Sequence, residues 1–158
     1  VSALLEQYAV SGYLVEITGE LKAQGRKPDG STWHIAIEAP HEGQQTAARV
    51  LELDGLAVST SGDYRNYFEQ DGKRYSHTID ARSGSPITHR LASVTVVDVS
   101  TMRADGLSTL LMLLGPEQGY AFAQQADIAA LFISHTEQGF VSRGSPVFNR
   151  RFATGDKP

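Results

Sequence analysis

Cysteine is absent from the chain of 158 residues, which excludes disulfides, thiolate metal sites and thiol nucleophiles. Long hydrophobic runs are absent too. The longest, residues 107–114, is interrupted by Ser108 and Thr109 and falls far short of the roughly 20 residues of a membrane-spanning helix. We therefore predict no transmembrane segment. The sequence also lacks a P-loop, a dinucleotide-binding glycine triplet, a zinc-protease helix and a nucleophile elbow.

Basic residues are scattered and outnumbered: 14 Lys and Arg stand against 18 Asp and Glu, and the formal net charge is −4. Nucleic acids and anionic membranes are bound by clusters of Lys and Arg that neutralise phosphate, so neither is an expected partner. With 41% hydrophobic residues, a chain of this length is predicted to form one globular domain. It begins at Val1 without a charged leader or an apolar signal core, and we expect it to be part of a longer protein.

Hydrophobic periodicity and turn residues predict an α+β fold. The first half is a series of short strands, and the second half contains two consecutive helices near residues 101–126, on either side of Gly115 and Pro116. We expect a strand-rich sheet, mixed or antiparallel. Residues 1–150 are predicted to form the folded unit, and residues 151–158 a polar tail. The predicted strands are 13–17, 21–24, 32–38, 49–53, 56–59, 65–68, 74–78, 91–97, 128–134 and 140–143.

The first of these two helices is the most informative segment. From residue 105 to its end its only polar side chains are Asp105, Ser108 and Thr109, so we expect the helix to be almost wholly buried, with Asp105 among apolar neighbours. Asp105 and Thr109 lie one turn apart on one side. Two hard oxygen ligands in this arrangement suit Mg²⁺, which takes few protein ligands and completes its shell with water and phosphate. The structural alternative is a carboxylate stabilised by first-turn amides and a Thr hydroxyl bonded to a backbone carbonyl.

Two loops carry further candidates. His77 and Asp80 lie three residues apart at a strand end. His77 suits a general base or a histidine that only bonds the loop backbone, and Asp80 suits a partner of the imidazole, a metal ligand or the cap of the turn 80–84. The second loop, residues 59–65, combines small hydroxyl residues, Gly62 and Tyr64. Such a loop suits phosphate or the edge of a planar ring, although it is also typical of an ordinary turn.

Five segments form a series along the chain. They read YLVEITGE (13–20), WHIAIEAP (33–40), TSGDYR (60–65), YSHTIDARSG (75–84) and ADGLSTL (104–110). In this order they resemble the ApbE family of FAD:protein FMN transferases. The resemblance implies FAD and Mg²⁺ as cofactors, and transfer of FMN from FAD to a threonine of a target protein, such as a respiratory flavoprotein subunit, with release of AMP. It also implies a periplasmic bacterial protein anchored to the inner membrane as a lipoprotein.

The resemblance assigns roles to individual residues. Asp105 and Thr109 match the magnesium ligands of the family, and His77 matches the histidine of its SHxxD motif, a base for the acceptor hydroxyl. The positions implied to contact the flavin cofactor are Glu20, Ser61, Gly62, Asp63, Tyr64, His77, Thr78 and Ile79. Two motifs depart mildly from the family pattern: TGE at 18–20 replaces a GGE-like motif, and DARSG at 80–84 replaces a DPRTG-like turn.

Family members are longer than this chain, so the resemblance covers their C-terminal half. An N-terminal half that supplies adenine contacts and another side of the metal site is expected to precede Val1. We therefore expect the full-length protein to be the enzyme and this chain alone to bind FAD poorly. Two other functions would use the same residues: a flavin-binding accessory module without transfer, and a Mg²⁺-dependent FAD pyrophosphatase with water as acceptor.

Overall fold

The structure, a computed structural model, describes residues 1–39, 47–62, 67–70 and 73–152. Within these ranges the chain forms three helices and twelve strands, and no helix there is long and apolar enough to cross a membrane. The elements are, in chain order, α1 (Ser2–Gln7), β1 (Tyr13–Ile17), β2 (Glu20–Gln24), β3 (Trp33–Glu38), β4 (Ala47–Leu53), β5 (Leu56–Gly62), β6 (Tyr67–Gln70), β7 (Lys73–Ser76), β8 (Ile79–Asp80), β9 (Ser85–Pro86), β10 (Leu91–Asp98), α2 (Thr101–Gln125), β11 (Ala129–Thr136), β12 (Gly139–Gly144) and α3 (Pro146–Arg151).

Six strands form the main sheet in the order β1-β2-β5-β10-β11-β12, and every neighbouring pair is antiparallel. The predicted α+β class is confirmed, and the sheet is antiparallel rather than mixed. Three further pairs, β3–β4, β6–β7 and β8–β9, form separate two-stranded ribbons. The predicted strands 65–68 and 74–78 correspond to the paired strands β6 and β7, and residues 65–66 and 71–72 lie outside the described residues.

The sheet separates two hydrophobic cores because successive side chains of a strand point to opposite faces. In β10, Val94 and Val96 pack toward α2, whereas Val97 packs on the other face. That other face is covered by the β3–β4 ribbon and by Phe148 of α3. The result is a central sheet with α2 on one side and the β3–β4 ribbon with α3 on the other.

α2 buries a narrower face than the sequence predicted. Asp105 and Thr109 are exposed, Leu110 is 37% exposed and Met102 is 81% exposed. The predictions of an almost wholly buried helix and of a buried Asp105 are therefore wrong, because only one side of α2 contacts the sheet. The buried residues of α2 are Ala104, Ser108, Leu111, Met112, Gly115, Gly119 and Ala123.

A kink at Gly115 divides α2 into two halves, as the Gly115-Pro116 pair predicted. Gly115 has φ 79° and ψ −177°, which is not helical. Pro116 has no N–H to donate to the carbonyl of Met112 four residues earlier. His89 replaces that donor: its Nε2 donates to the Met112 carbonyl at 2.8 Å, and its Nδ1 accepts from the Leu91 N–H at 3.3 Å.

α3 was not predicted, although its start has a clear signal. Ser145 is the N-cap, its hydroxyl accepting from the Phe148 N–H at 3.2 Å, and Pro146 occupies the first turn, a typical helix start. Arg150 and Arg151 belong to this helix, so the first residue of the predicted tail is helical. Residues 153–158 lie outside the described residues.

Candidate active site

A cleft of about 400 Å³ lies at the ends of several elements, at the lower end of the range of about 300–1,000 Å³ for small-ligand sites. Its walls come from the β1–β2 hairpin, β3, β5, the loop after β7 and the N-terminal part of α2. Five of the residues predicted from the sequence line it together: Glu20, Ser61, Gly62, His77 and Asp105.

The β1–β2 turn brings Glu20 to the rim of this cleft. Thr18 and Gly19 have φ values of 55° and 103°, and two positive φ values are typical of the tight turn that matches the twist of a hairpin. A β-branched residue in the left-handed region is strained. The Thr18 hydroxyl donates to Glu20 Oε2 at 2.8 Å, which ties the carboxylate to the turn.

At the far end of β5, Ser61 joins the sheet to α2. Its Oγ lies 2.9 Å from Ser108 Oγ and 3.1 Å from Thr109 Oγ1. Ser108 in turn donates to the backbone carbonyl of Asp105 at 2.9 Å. The contact fixes β5 against the turn of α2 that carries Asp105 and Thr109, so Thr109 is linked to the cleft through Ser61.

His77 lies exposed in the loop between β7 and β8 and lines the cleft. Asp80 follows in β8, where its carboxylate accepts from the Arg82 backbone N–H at 2.9 Å and from the Arg82 guanidinium at 2.9 and 3.0 Å. These bonds hold the pKa of Asp80 below its ordinary value. Of the roles that the sequence left open for Asp80, the structure therefore supports the cap of the turn 80–84.

The cleft is acidic. Four acidic residues line it, Glu16, Glu20, Glu38 and Asp105, and among the described lining residues there is no Lys or Arg. Sequence reasoning singled out Glu20 and Asp105 but missed Glu16 and Glu38. A signal was available, since Glu16 is one residue from the end of β1 and Glu38 is the last residue of β3, and strand ends commonly carry ligand-binding side chains.

The other residues predicted to contact the cofactor are not among the described residues that line the cleft. Thr78 is half-buried, and its N–H donates to Ser76 Oγ at 3.1 Å; Ile79 is 50% exposed. Neither lines the cleft, so their predicted contact with a cofactor stays a prediction. Asp63 and Tyr64 lie outside the described residues.

The Asp105 carboxylate and the Thr109 hydroxyl fit a magnesium ion as a partial ligand set. Both are hard oxygen donors, both are exposed, and they lie one turn apart on α2. Within the part of the chain that the structure describes, no three His, Asp or Glu side chains are grouped as a metal site. These residues alone would therefore supply only part of the ligands of an ion, and the others would come from water, phosphate or the N-terminal half expected to precede Val1.

The sequence is similar to proteins named FAD:protein FMN transferase. The one from Vibrio cholerae is 47% identical over 148 residues, covering 94% of this chain and 44% of the relative. The one from Haemophilus influenzae is 42% identical over 151 residues, covering 95% of this chain and 44% of the relative. The chain thus spans less than half the length of these curated relatives, and it aligns to their C-terminal half.

Solved structures of ApbE proteins are similar to this chain in fold as well. The apo form of the flavinyl transferase ApbE from Pseudomonas stutzeri matches with a TM-score of 0.87 and 59% identity, covering 98% of this chain and 48% of that one. The ApbE protein from Thermotoga maritima matches with a TM-score of 0.75 and 28% identity, covering 89% of this chain and 45% of that one. The family model described as "ApbE family" matches residues 1–132. With a family match over most of its length and the fold of these structures, the chain belongs to the ApbE family.

Proposed function

We propose that this chain forms the C-terminal part of an FAD:protein FMN transferase, and that its cleft holds the pyrophosphate of FAD next to an acceptor threonine. The observation that carries the proposal is the single cleft in which a histidine, His77, meets Asp105 of α2 and the strand-end residues Glu20 and Ser61. These residues come from four separate parts of the chain. The relatives named FAD:protein FMN transferase support the same reaction.

In the proposed reaction, the hydroxyl oxygen of the acceptor threonine attacks the flavin-side phosphorus of the FAD pyrophosphate. A bond forms between this oxygen and the phosphorus, the bond from the phosphorus to the bridging oxygen breaks, and AMP leaves with the bridging oxygen. His77 takes the proton of the threonine hydroxyl as general base. Because His77 is exposed, it can pass that proton to solvent.

Asp105 and Thr109 would hold Mg²⁺, which when bound neutralises charge on the pyrophosphate. The acidic lining of the cleft supports this part of the proposal. The acidic residues Glu16, Glu20 and Asp105 repel a free pyrophosphate, and the described lining residues include no Lys or Arg. A phosphate-bearing ligand is therefore expected to enter with a divalent cation.

The proposed acceptor is a threonine of a bacterial respiratory flavoprotein subunit, and the proposed location is the periplasm, with the full-length protein anchored to the inner membrane as a lipoprotein. Both rest on the family resemblance. Fractionation of cells that express the full-length protein tests the location: we expect it in the membrane fraction and accessible to protease from the periplasmic side. Recovery in the cytosol would contradict this part of the proposal.

The reaction is tested by incubating the full-length protein with FAD, Mg²⁺ and a threonine-bearing acceptor peptide. We expect fluorescent flavin bound covalently to the peptide and an equal amount of AMP. Free FMN with AMP would instead indicate a pyrophosphatase, and unchanged bound FAD would indicate a binding module.

Two variants assign the roles. His77→Ala should lower the transfer rate by about 10²–10⁴-fold and should retain FAD binding. Binding is measured by the quenching of flavin fluorescence. Asp105→Ala should abolish Mg²⁺-dependent turnover. His34→Ala is the matched control for the histidine, since His34 is exposed, pairs with Glu52 at 3.3 Å and does not line the cleft. Transfer at the unaltered rate in His77→Ala would exclude His77 as the base.

A further inference from the structure

We propose that Ser61 is a positioning residue for the cation: together with Ser108 it fixes the hydroxyl proton of Thr109 inside the protein, so that the oxygen lone pairs of Thr109 stay available beside Asp105. This inference rests on the proposed magnesium site and adds a device that orients one of its ligands. It follows from counting the hydrogens in a chain of three hydroxyl groups.

The chain starts at a backbone carbonyl, which sets its direction. Ser108 Oγ lies 2.9 Å from the carbonyl oxygen of Asp105. A carbonyl oxygen accepts and cannot donate, so Ser108 must donate the single hydrogen of its hydroxyl. Ser108 is fully buried, and so bulk water does not compete for this bond.

The direction then passes to the other two hydroxyls. The single hydrogen of the Ser108 hydroxyl is already donated to the Asp105 carbonyl. In the 2.9 Å contact between Ser108 Oγ and Ser61 Oγ, Ser108 can therefore only accept, and Ser61 donates. Ser61 can therefore only accept in its 3.1 Å contact with Thr109, so Thr109 donates. The hydrogen of Thr109 points toward Ser61, and both lone pairs of its oxygen remain for other partners.

This orientation matters because a cation binds the oxygen of a hydroxyl through a lone pair and is repelled by the hydrogen. A free threonine hydroxyl would have to be turned when the ion binds, whereas Thr109 is held ready by its neighbours. The same bonds occupy the Ser61 hydroxyl within the protein. The Ser61 hydroxyl donates its hydrogen to Ser108 of α2 and not to the flavin. This role of Ser61 therefore differs from the direct flavin contact that the family resemblance implies.

The sheet provides a matched control on the opposite face. Thr60 precedes Ser61 in β5, and its hydroxyl lies 2.8 Å from that of Thr95 in β10. Thr95 is fully buried and does not line the cleft. Thr60 itself lines the cleft, so Thr95→Val removes the hydrogen-bond partner of a cleft hydroxyl without touching the Ser61–Ser108–Thr109 chain, and it tests whether the loss of any hydroxyl bond beside the cleft weakens ion binding.

The test is a titration of the full-length protein with Mn²⁺ in the presence of FAD. Binding is monitored by the electron paramagnetic resonance signal of free Mn²⁺. Ser61→Ala should weaken Mn²⁺ binding by about three- to ten-fold, the loss of one hydrogen bond, and Ser108→Ala should do the same because Ser61 could then donate to Thr109. Ser61→Thr retains a hydroxyl and should bind near the wild-type level. Thr95→Val should bind as wild type.

A second readout separates orientation of the ligand from general damage. In the transfer assay, Ser61→Ala should raise the apparent KM for Mg²⁺ by the same factor, and saturating Mg²⁺ should restore kcat. Circular dichroism melting confirms that each variant is folded, and Ser108→Ala serves in place of Ser61→Ala if the latter does not fold.

The outcomes distinguish the inference from the proposed site. If Thr109→Val and Asp105→Ala bind Mn²⁺ as wild type, the magnesium site itself is wrong and the inference fails with it. If those two variants lose Mn²⁺ while Ser61→Ala and Ser108→Ala do not, the site stands and the role of Ser61 is overturned. An equal loss in Thr95→Val would also overturn it.

Discussion

At the scale of single residues, the turn after His77 depends on one carboxylate. Asp80 accepts from the backbone and the guanidinium of Arg82, and its own backbone carbonyl accepts from the Gly84 N–H at 2.7 Å. The Asp80–Arg82 bonds lower the pKa of Asp80. A carboxyl that binds its proton less readily in the folded state than in the unfolded state links folding to pH.

We predict that the stability contributed by Asp80 is fully present above the ordinary carboxyl pKa of about 3.9 and is lost as pH falls through its lower folded pKa. Below the ordinary value the unfolded chain binds the proton first, which favours unfolding. Asp80→Asn should therefore flatten the acid side of a plot of unfolding free energy against pH, measured by urea denaturation. Arg82→Gln should flatten it in part, because it removes the guanidinium, the largest cause of the shift, and leaves the backbone N–H bond of residue 82. Wild-type slopes in both variants would contradict the prediction.

Single residues also show where sequence reasoning reaches its limit. Helix geometry alone correctly gave Asp105 and Thr109 a common side of α2. It could not predict their exposure, because the leucines and methionines of this helix are distributed on all its sides. The hydrophobic pattern therefore does not indicate which face is buried. The contact of Ser61 with Ser108 joins positions 47 apart in sequence, and no local pattern announces such a contact.

At the scale of elements, the kink of α2 is held by a side chain from outside the helix. His89 donates to the Met112 carbonyl that Pro116 leaves without a partner. A Cβ at Gly115 would lie 2.9 Å from the ring carbon Cδ2 of His89. Glycine, proline and histidine at this point are therefore parts of one arrangement.

We predict that His89→Ala lowers the free energy of unfolding by about 1–3 kcal/mol, the cost of leaving a buried carbonyl without a donor. His89→Gln retains an N–H donor and should recover part of this loss. Chemical denaturation of both variants measures the difference, with His34→Ala as the exposed control. If Ala and Gln at position 89 are equally destabilising, the bond to Met112 does not carry the effect.

The elements with clear periodicity were the predictable ones. β1 was predicted with its observed bounds, and the two halves of α2 followed from Gly115 and Pro116. β8 and β9 have only two residues each, too few for any periodicity, and were not predicted as strands. α3 was missed because six residues are too few for a helical periodicity, although Ser145 and Pro146 form a typical start.

At the scale of the whole molecule, β10 is the central support of the fold. It lies between β5 and β11, and seven of its eight residues are buried. Its neighbours come from distant parts of the sequence: Ala57 pairs with Asp98 and Val97 with Ala129. The order of strands could not be predicted from the sequence, because the β3–β4 ribbon intervenes between β2 and β5 without joining the sheet.

We predict that backbone amides of β10 exchange with solvent most slowly and those of β1 and β12, at the two ends of the strand order, more rapidly. The inner strand is hydrogen-bonded on both sides and covered on both faces. Hydrogen–deuterium exchange followed by mass spectrometry measures the order. Equal exchange rates in β1 and β10 would show that the sheet does not open from its edges.

The pairing of β5 with β10 has a consequence for which changes of length the protein tolerates. Side chains alternate along β5, so Ser61 faces α2 and Thr60 faces Thr95. Insertion or deletion of one residue between Leu56 and Ser61 would turn every later side chain of the strand to the opposite face. Ser61 would then lose its contact with Ser108 and Thr109 of α2 and turn to the face that carries Thr60. Across related sequences, gaps are therefore expected to be absent from this strand and to collect in connections outside the sheet, such as residues 25–32 between β2 and β3.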